Sequence, residues 1–106
     1  MLTTKHVQNR LNEFQADNIV VLNVEKLTTV TSTIIVCSAN STPHAQALLR
    51  EVKDVSKEHS SAVNISGDDT FEWIIVDIGY IIVHIMLPEF RDFYNLEGLW
   101  DIEINE

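Results

Sequence analysis

Four histidines, one cysteine and 16 acidic side chains are the groups of this 106-residue chain able to hold metals or move protons. His6, His44, His59 and His84 stand apart. None lies at helical i, i+4 spacing to another, and there is no Cys-x-x-Cys, so ligand spacing gives no zinc site. Nucleotidyl transfer would need two carboxylates converging on metal ions at a triphosphate. Alternating acids on a strand would provide them, but Asp77 has Ile75 and Gly79 at its alternate positions. Asp68 and Asp69 are adjacent in a loop, and Asp101 and Glu103 fall in the tail. With 3 glycines the chain has no phosphate-cradling loop. No nucleophile elbow is present either. No catalytic residue, metal ligand or cofactor is therefore expected. An enzyme of nucleotidyltransferase type, with acids drawn from dispersed positions, is the alternative.

A second constellation suits binding. Two β-rich runs, 71–77 and 80–87, flank Ile78-Gly79 and predict a hairpin. With Ile78-Gly79 as the loop, Asp77 stands opposite Tyr80, Ile75 opposite Ile82, Trp73 opposite His84 and Phe71 opposite Met86. Opposed residues project to the same face. The other face carries Ile74, Val76, Ile81, Val83 and Ile85 and must be core. The first face mixes aromatics, a methionine, a histidine and an aspartate, a composition enriched at partner surfaces. Two readings stand: a surface for a partner, or a second core layer under a helix. Self-association through the Trp73 face is a weaker third.

The elements that must position this hairpin follow from periodicity. Val7, Leu11 and Phe14 mark an amphipathic helix over 2–16. Residues 19–24 read as a buried strand and 25–32 as a loop, with a second strand at 33–38. Ser41 or Thr42 caps a second helix, Pro43 fits its first turn, and Ala45, Leu48, Leu49, Val52 and Val55 mark its apolar face to Glu58. A short strand at 62–65 precedes the hairpin. Pro88 ends the last strand. Helical turns follow at 89–94 and 96–100, and 101–106 is a loose tail. The order α-β-β-α-β-β-β-α requires a crossover, so the fold is α/β of the mixed α+β kind: one domain over 1–106, a mixed sheet flanked by helices.

Composition narrows the partners. Hydrophobic residues make up 45% and charged residues 22%, values of an ordinary globular domain. Cys37, in the run Ile34-Ile35-Val36-Cys37, excludes an intrachain disulfide and reads as a small buried hydrophobe in a reducing compartment. Met1 to His6 lack the apolar core of an export signal, and no run is long enough to cross a bilayer. A soluble cytoplasmic protein is expected. The net charge of -9 repels phosphate backbones and favours a basic protein partner over nucleic acid.

Two C-terminal stretches carry a resemblance. Trp73-Ile74-Ile75-Val76-Asp77-Ile78-Gly79-Tyr80-Ile81-Ile82-Val83-His84 is similar to the W-x-x-x-D-x-G-x-x-x-V-H stretch of the RsfS/Iojap ribosomal silencing factor family. Arg91-Asp92-Phe93-Tyr94-Asn95-Leu96-Glu97-Gly98-Leu99-Trp100 resembles its R-x-F/Y-Y-x-L-E-x-L-W ending. Asp17 to Val24 resembles its first strand, and Ser38-Ala39-Asn40-Ser41 its small-residue turn. The chain departs from the family pattern at Ser32, Thr33, Ala39, Pro43, Ser66 and Tyr80, and the family's acids at Ser32, Ser66 and Tyr80 are lost. The resemblance implies a nucleotidyltransferase-like fold without the catalytic acids. It implies binding to the large ribosomal subunit through ribosomal protein fourteen, a block to subunit joining, and repression of translation when nutrients are short. Run length and charge lead to the expectation of no membrane and no nucleic-acid specificity. The expected partner surface is Trp73, Ile78, Tyr80, His84, Arg91 and Tyr94, in a monomer or weak homodimer. Arg91 would otherwise pair with Glu97 or Asp92, and Tyr94 would pack on the sheet.

Overall fold

A computed structural model describes residues 2–26 and 31–90. The elements run α1(Thr4–Glu13), β1(Asp17–Asn23), β2(Thr33–Ser38), α2(Thr42–Glu58), β3(Asn64–Ser66), β4(Trp73–Asp77) and β5(Ile81–Met86). The five strands form one sheet in the order β1-β2-β5-β4-β3. β2 and β5 are parallel and the other pairs antiparallel. The expected crossover is therefore present. α2 carries the chain to the far edge, and the meander β3-β4-β5 brings it back beside β2. No described helix is long and apolar enough to cross a membrane.

Local signals explain the helices. Thr3 caps α1 through a reciprocal capping box: the His6 N–H donates to the Thr3 hydroxyl, and the Thr3 N–H donates to His6 Nδ1. Ser41 caps α2 by accepting from the His44 N–H, with Pro43 in the first turn. The two helices run antiparallel against each other. At one end His44 accepts from the Asn40 N–H and its Nε2 meets the Phe14 carbonyl at 2.9 Å. At the other the His6 and His59 rings stack at 4.1 Å. Between them Arg10 of α1 reaches Glu51 at 3.2 Å and Glu58 at 2.7 Å on α2. The hydrogen bond to Glu58 is the main influence raising the Arg10 pKa. Arg10→Ala leaves both acids facing the gap unpaired and is expected to cost about 1–2 kcal/mol of stability in denaturant melts.

Both helices lie on one face of the sheet. Val7, Leu11, Ala45, Leu48, Val52 and Val55 pack there on Ile35, Cys37, Ile74, Val76, Ile81, Val83 and Ile85, all buried. The face read as purely aliphatic is thus the main core. The hairpin register differs from expectation by two residues. Trp73 pairs with Met86, Ile75 with His84 and Asp77 with Ile82. The loop is Gly79-Tyr80, closed by the Ile78 N–H to the Ile81 carbonyl at 2.8 Å. Positive φ falls on Gly79 alone of the two (98°), the requirement of a turn with glycine in its first central position. A shift of two leaves every residue of β4 and β5 on its expected face, while Tyr80 leaves the strand for the turn.

Candidate partner-binding face

The second face of the sheet divides into two halves. On β1, β2 and the end of β5 it is core: Leu22, Val24, Ile34, Val36 and Met86 cluster and are buried, with Val20, Trp73 and Phe90 packed against them. On the rest of β5 and on β4 it opens. Ile82, His84, Trp73, Ile75 and Asp77 are all partly exposed, and Asn64 and Ser66 at the β3 edge are exposed. The second core layer is therefore present on one half of this face, and the other half is open.

Trp73 and His84 are joined across this opening. They sit diagonally rather than opposite, since His84 pairs with Ile75. The indole N–H of Trp73 donates to His84 Nδ1 at 2.9 Å. The bond needs a free lone pair on Nδ1, which puts the ring proton of the neutral imidazole on Nε2. Burial lowers the His84 pKa to about 4, so the ring is neutral at physiological pH and presents an N–H donor rather than a charge. The unfolded chain takes up this proton near pH 6.5 while the fold refuses it until about pH 4. Stability thus falls as pH drops through that window, with a slope from this group of at most about 1.4 kcal/mol per pH unit. His84→Gln should flatten denaturant midpoints measured from pH 7 to 5. An unchanged slope would show that His84 titrates normally.

The other expected surface residues separate. Ile78, expected as a hairpin-tip contact, is 7% exposed and buried in the helix-side core. As an even-numbered neighbour of Ile74 and Val76 it points away from Trp73. Tyr80, expected opposite Asp77, occupies the turn instead. Its hydroxyl donates to the Leu2 carbonyl at the start of α1, while the residue remains 38% exposed. Arg91 and Tyr94, like the tail 101–106, lie outside the described residues. Ile75 and Ile82 were not singled out by sequence. The expected pairing had already put both on the Trp73 face, but neither was named as a contact.

Several of the residues screened for chemistry have structural work, and Asp101 and Glu103 lie outside the described residues. Asp77 Oδ1 accepts from the Gly79 N–H at 2.8 Å and stabilises the turn. His6 and His44 hold helix termini, and His59 Nδ1 meets the Val55 carbonyl at 2.9 Å. Cys37 is buried. Among the described residues no three His, Cys, Asp or Glu side chains lie together as metal ligands would.

The chain is similar to known proteins over most of its length. The profile of the family described as "Ribosomal silencing factor during starvation" matches residues 3–106. The ribosomal silencing factor RsfS of Bacillus subtilis is 36% identical over 87 residues, 81% of this chain and 74% of that protein. "Mitochondrial assembly of ribosomal large subunit protein 1" of Mus musculus is 33% identical over 87% of this chain and 42% of its own length. A crystal structure of a Chromobacterium violaceum protein superposes with a TM-score of 0.90 at 31% identity, covering 97% of this chain and 87% of that one.

Proposed function

This chain belongs to the ribosomal silencing factor family, and from that premise we propose that it binds the large ribosomal subunit through ribosomal protein fourteen. Bound there it blocks joining of the small subunit and represses translation in the cytoplasm, notably under nutrient limitation. It is a regulatory protein by family. The observation that carries the finer reading is the half-open face around Trp73 and His84. Its apolar residues Ile75 and Ile82 and a neutral imidazole donor suit a protein surface, since hot spots combine aromatic anchors with a few directed polar groups. Ribosomal proteins are generally basic, and the charge of -9 steers such a partner toward the chain. Arg91 and Tyr94 extend the contact, while the Tyr80 hydroxyl is held by the Leu2 carbonyl on the helix side. Ile78, being buried, supports the turn from below.

Co-sedimentation with isolated large subunits tests the reading. The protein is expected to travel with large subunits and to bind purified ribosomal protein fourteen, with little binding to naked ribosomal RNA at physiological salt. Strong binding to the RNA and none to the protein would overturn it. No turnover of a nucleoside triphosphate with divalent metal is expected. Turnover abolished by Asp77→Asn or Asp68→Asn would support the enzyme alternative instead.

A further inference from the structure

His84 has two ring nitrogens, and the fold uses one of them. Nδ1 accepts from the Trp73 indole N–H, so the ring proton sits on Nε2. No described residue accepts from that proton. The sheet explains why. His84 stands between Val36 of β2 and Ile75 of β4. Along β5 its neighbours on the same face are Ile82 and Met86. All four are apolar and offer the ring no acceptor. Asp77 pairs with Ile82, diagonally across from His84, and its Oδ1 accepts from the Gly79 N–H.

Burial holds the ring neutral, with its pKa lowered to about 4. A neutral imidazole has one donor and one acceptor. With the acceptor taken, the ring presents a donor alone. Its direction is fixed as well, because turning the ring over would break the bond to the indole. A donor so placed loses water when a partner covers the face. That costs free energy unless the partner brings an acceptor.

We propose that the partner sets an uncharged oxygen acceptor, such as a main-chain carbonyl, over His84 Nε2, and that His84 is the residue of this face that selects for it. The inference rests on the ribosomal reading above and names the chemistry of its contact. A lysine or arginine at this spot would bring a donor to a donor. An apolar side chain would leave the N–H unsatisfied. A carboxylate would accept, but it would approach Asp77 on the same face and a chain of net charge -9. A neutral oxygen meets the donor without a charge to desolvate. The overall charge thus draws a basic partner in, while His84 keeps its cations off the centre of the contact.

Two substitutions separate the two nitrogens. His84→Asn keeps an oxygen near the place of Nδ1 and loses the Nε2–H. His84→Gln puts an amide N–H near the place of Nε2 and loses the acceptor for the indole. Both are measured at neutral pH for binding to isolated ribosomal protein fourteen and to large subunits. Exchange of the Trp73 indole proton is followed by NMR on the same samples. His84→Asn is expected to keep the indole proton protected, yet bind both targets about tenfold more weakly. His84→Gln should leave the indole proton open to exchange, yet bind within about threefold of the parent. Parent-like binding of His84→Asn overturns the proposal, and so do losses in His84→Gln as large as those in His84→Asn. Where a variant does not fold, the parent is read directly, labelled with nitrogen-15 at histidine. Its Nε2–H should become protected from exchange when isolated protein fourteen binds. An Nε2–H that still exchanges freely in the complex, or a ring proton found on Nδ1, overturns the proposal and leaves the ribosomal reading intact. A parent that binds neither target removes both.

Discussion

Trp73→Ala is expected to weaken binding to large subunits by more than about 2 kcal/mol, some thirtyfold, while lowering stability by less. The partition follows from where the indole sits. It packs on the edge of the second-face cluster but is itself only partly buried. A fully buried tryptophan would cost roughly 3–5 kcal/mol of stability on truncation. The loss also frees His84 Nδ1 of the indole donor, so the imidazole that the face presents is no longer oriented. Trp73→Phe keeps the ring and removes the N–H, and should fall between parent and alanine. Thermal stability and subunit binding are measured on the same preparations. A Trp73→Ala protein that melts far below the parent, yet binds normally while folded, would make Trp73 a core residue and nothing more.

Gly67→Ala is expected to cost more than about 4 kcal/mol, among the largest single effects in the chain. Gly67 has φ +79°, where a side chain is strained by about 1–2 kcal/mol. A Cβ there would also overlap the Trp73 carbonyl oxygen and stand 3.1 Å from its carbonyl carbon. Those atoms are backbone and cannot swing aside, so the start of β4 must move. Gly79→Ala is the matched control. It too has positive φ, but nothing lies within 4 Å of its added Cβ, so it pays only the conformational cost. Denaturant unfolding compares the two. Equal losses would mean that the close approach of Gly67 to Trp73 is unimportant.

Much of this was legible because the signals were local. β2 was read at Thr33–Ser38 and α2 as ending at Glu58, where β-branched residues, a serine cap and a proline mark the bounds. α1 was drawn too long, as Phe14 continues its apolar spacing yet is 42% exposed at the cap. β1 begins earlier than expected, at Asp17, because a bulge between Asp17 and Val20 with Asn18 at φ 50° has no clear sequence signal. The hairpin register was missed by two although turn chemistry favours the observed loop: Ile78-Gly79 would put a β-branched residue at positive φ, whereas Gly79-Tyr80 needs it only at the glycine. Parity survived the error, so the aliphatic face was right and the Trp73 face intact. The same parity placed Ile78 with Ile74 and Val76, away from a partner. Strand order was not legible. That β5 sits between β2 and β4 is decided by tertiary pairing. Nor could alternation tell that one face would be core on β1 and β2 and open on β4 and β5.

Steric exclusion is the centre of the account, and subunit joining measures it directly. Purified large subunits are incubated with this protein until co-sedimentation shows saturation. Small subunits are then added, and light scattering follows joined ribosomes. The joined fraction is expected to fall in proportion to occupancy by the parent protein, and to recover with Trp73→Ala at the same concentration. Unimpaired joining on fully occupied large subunits would contradict the account.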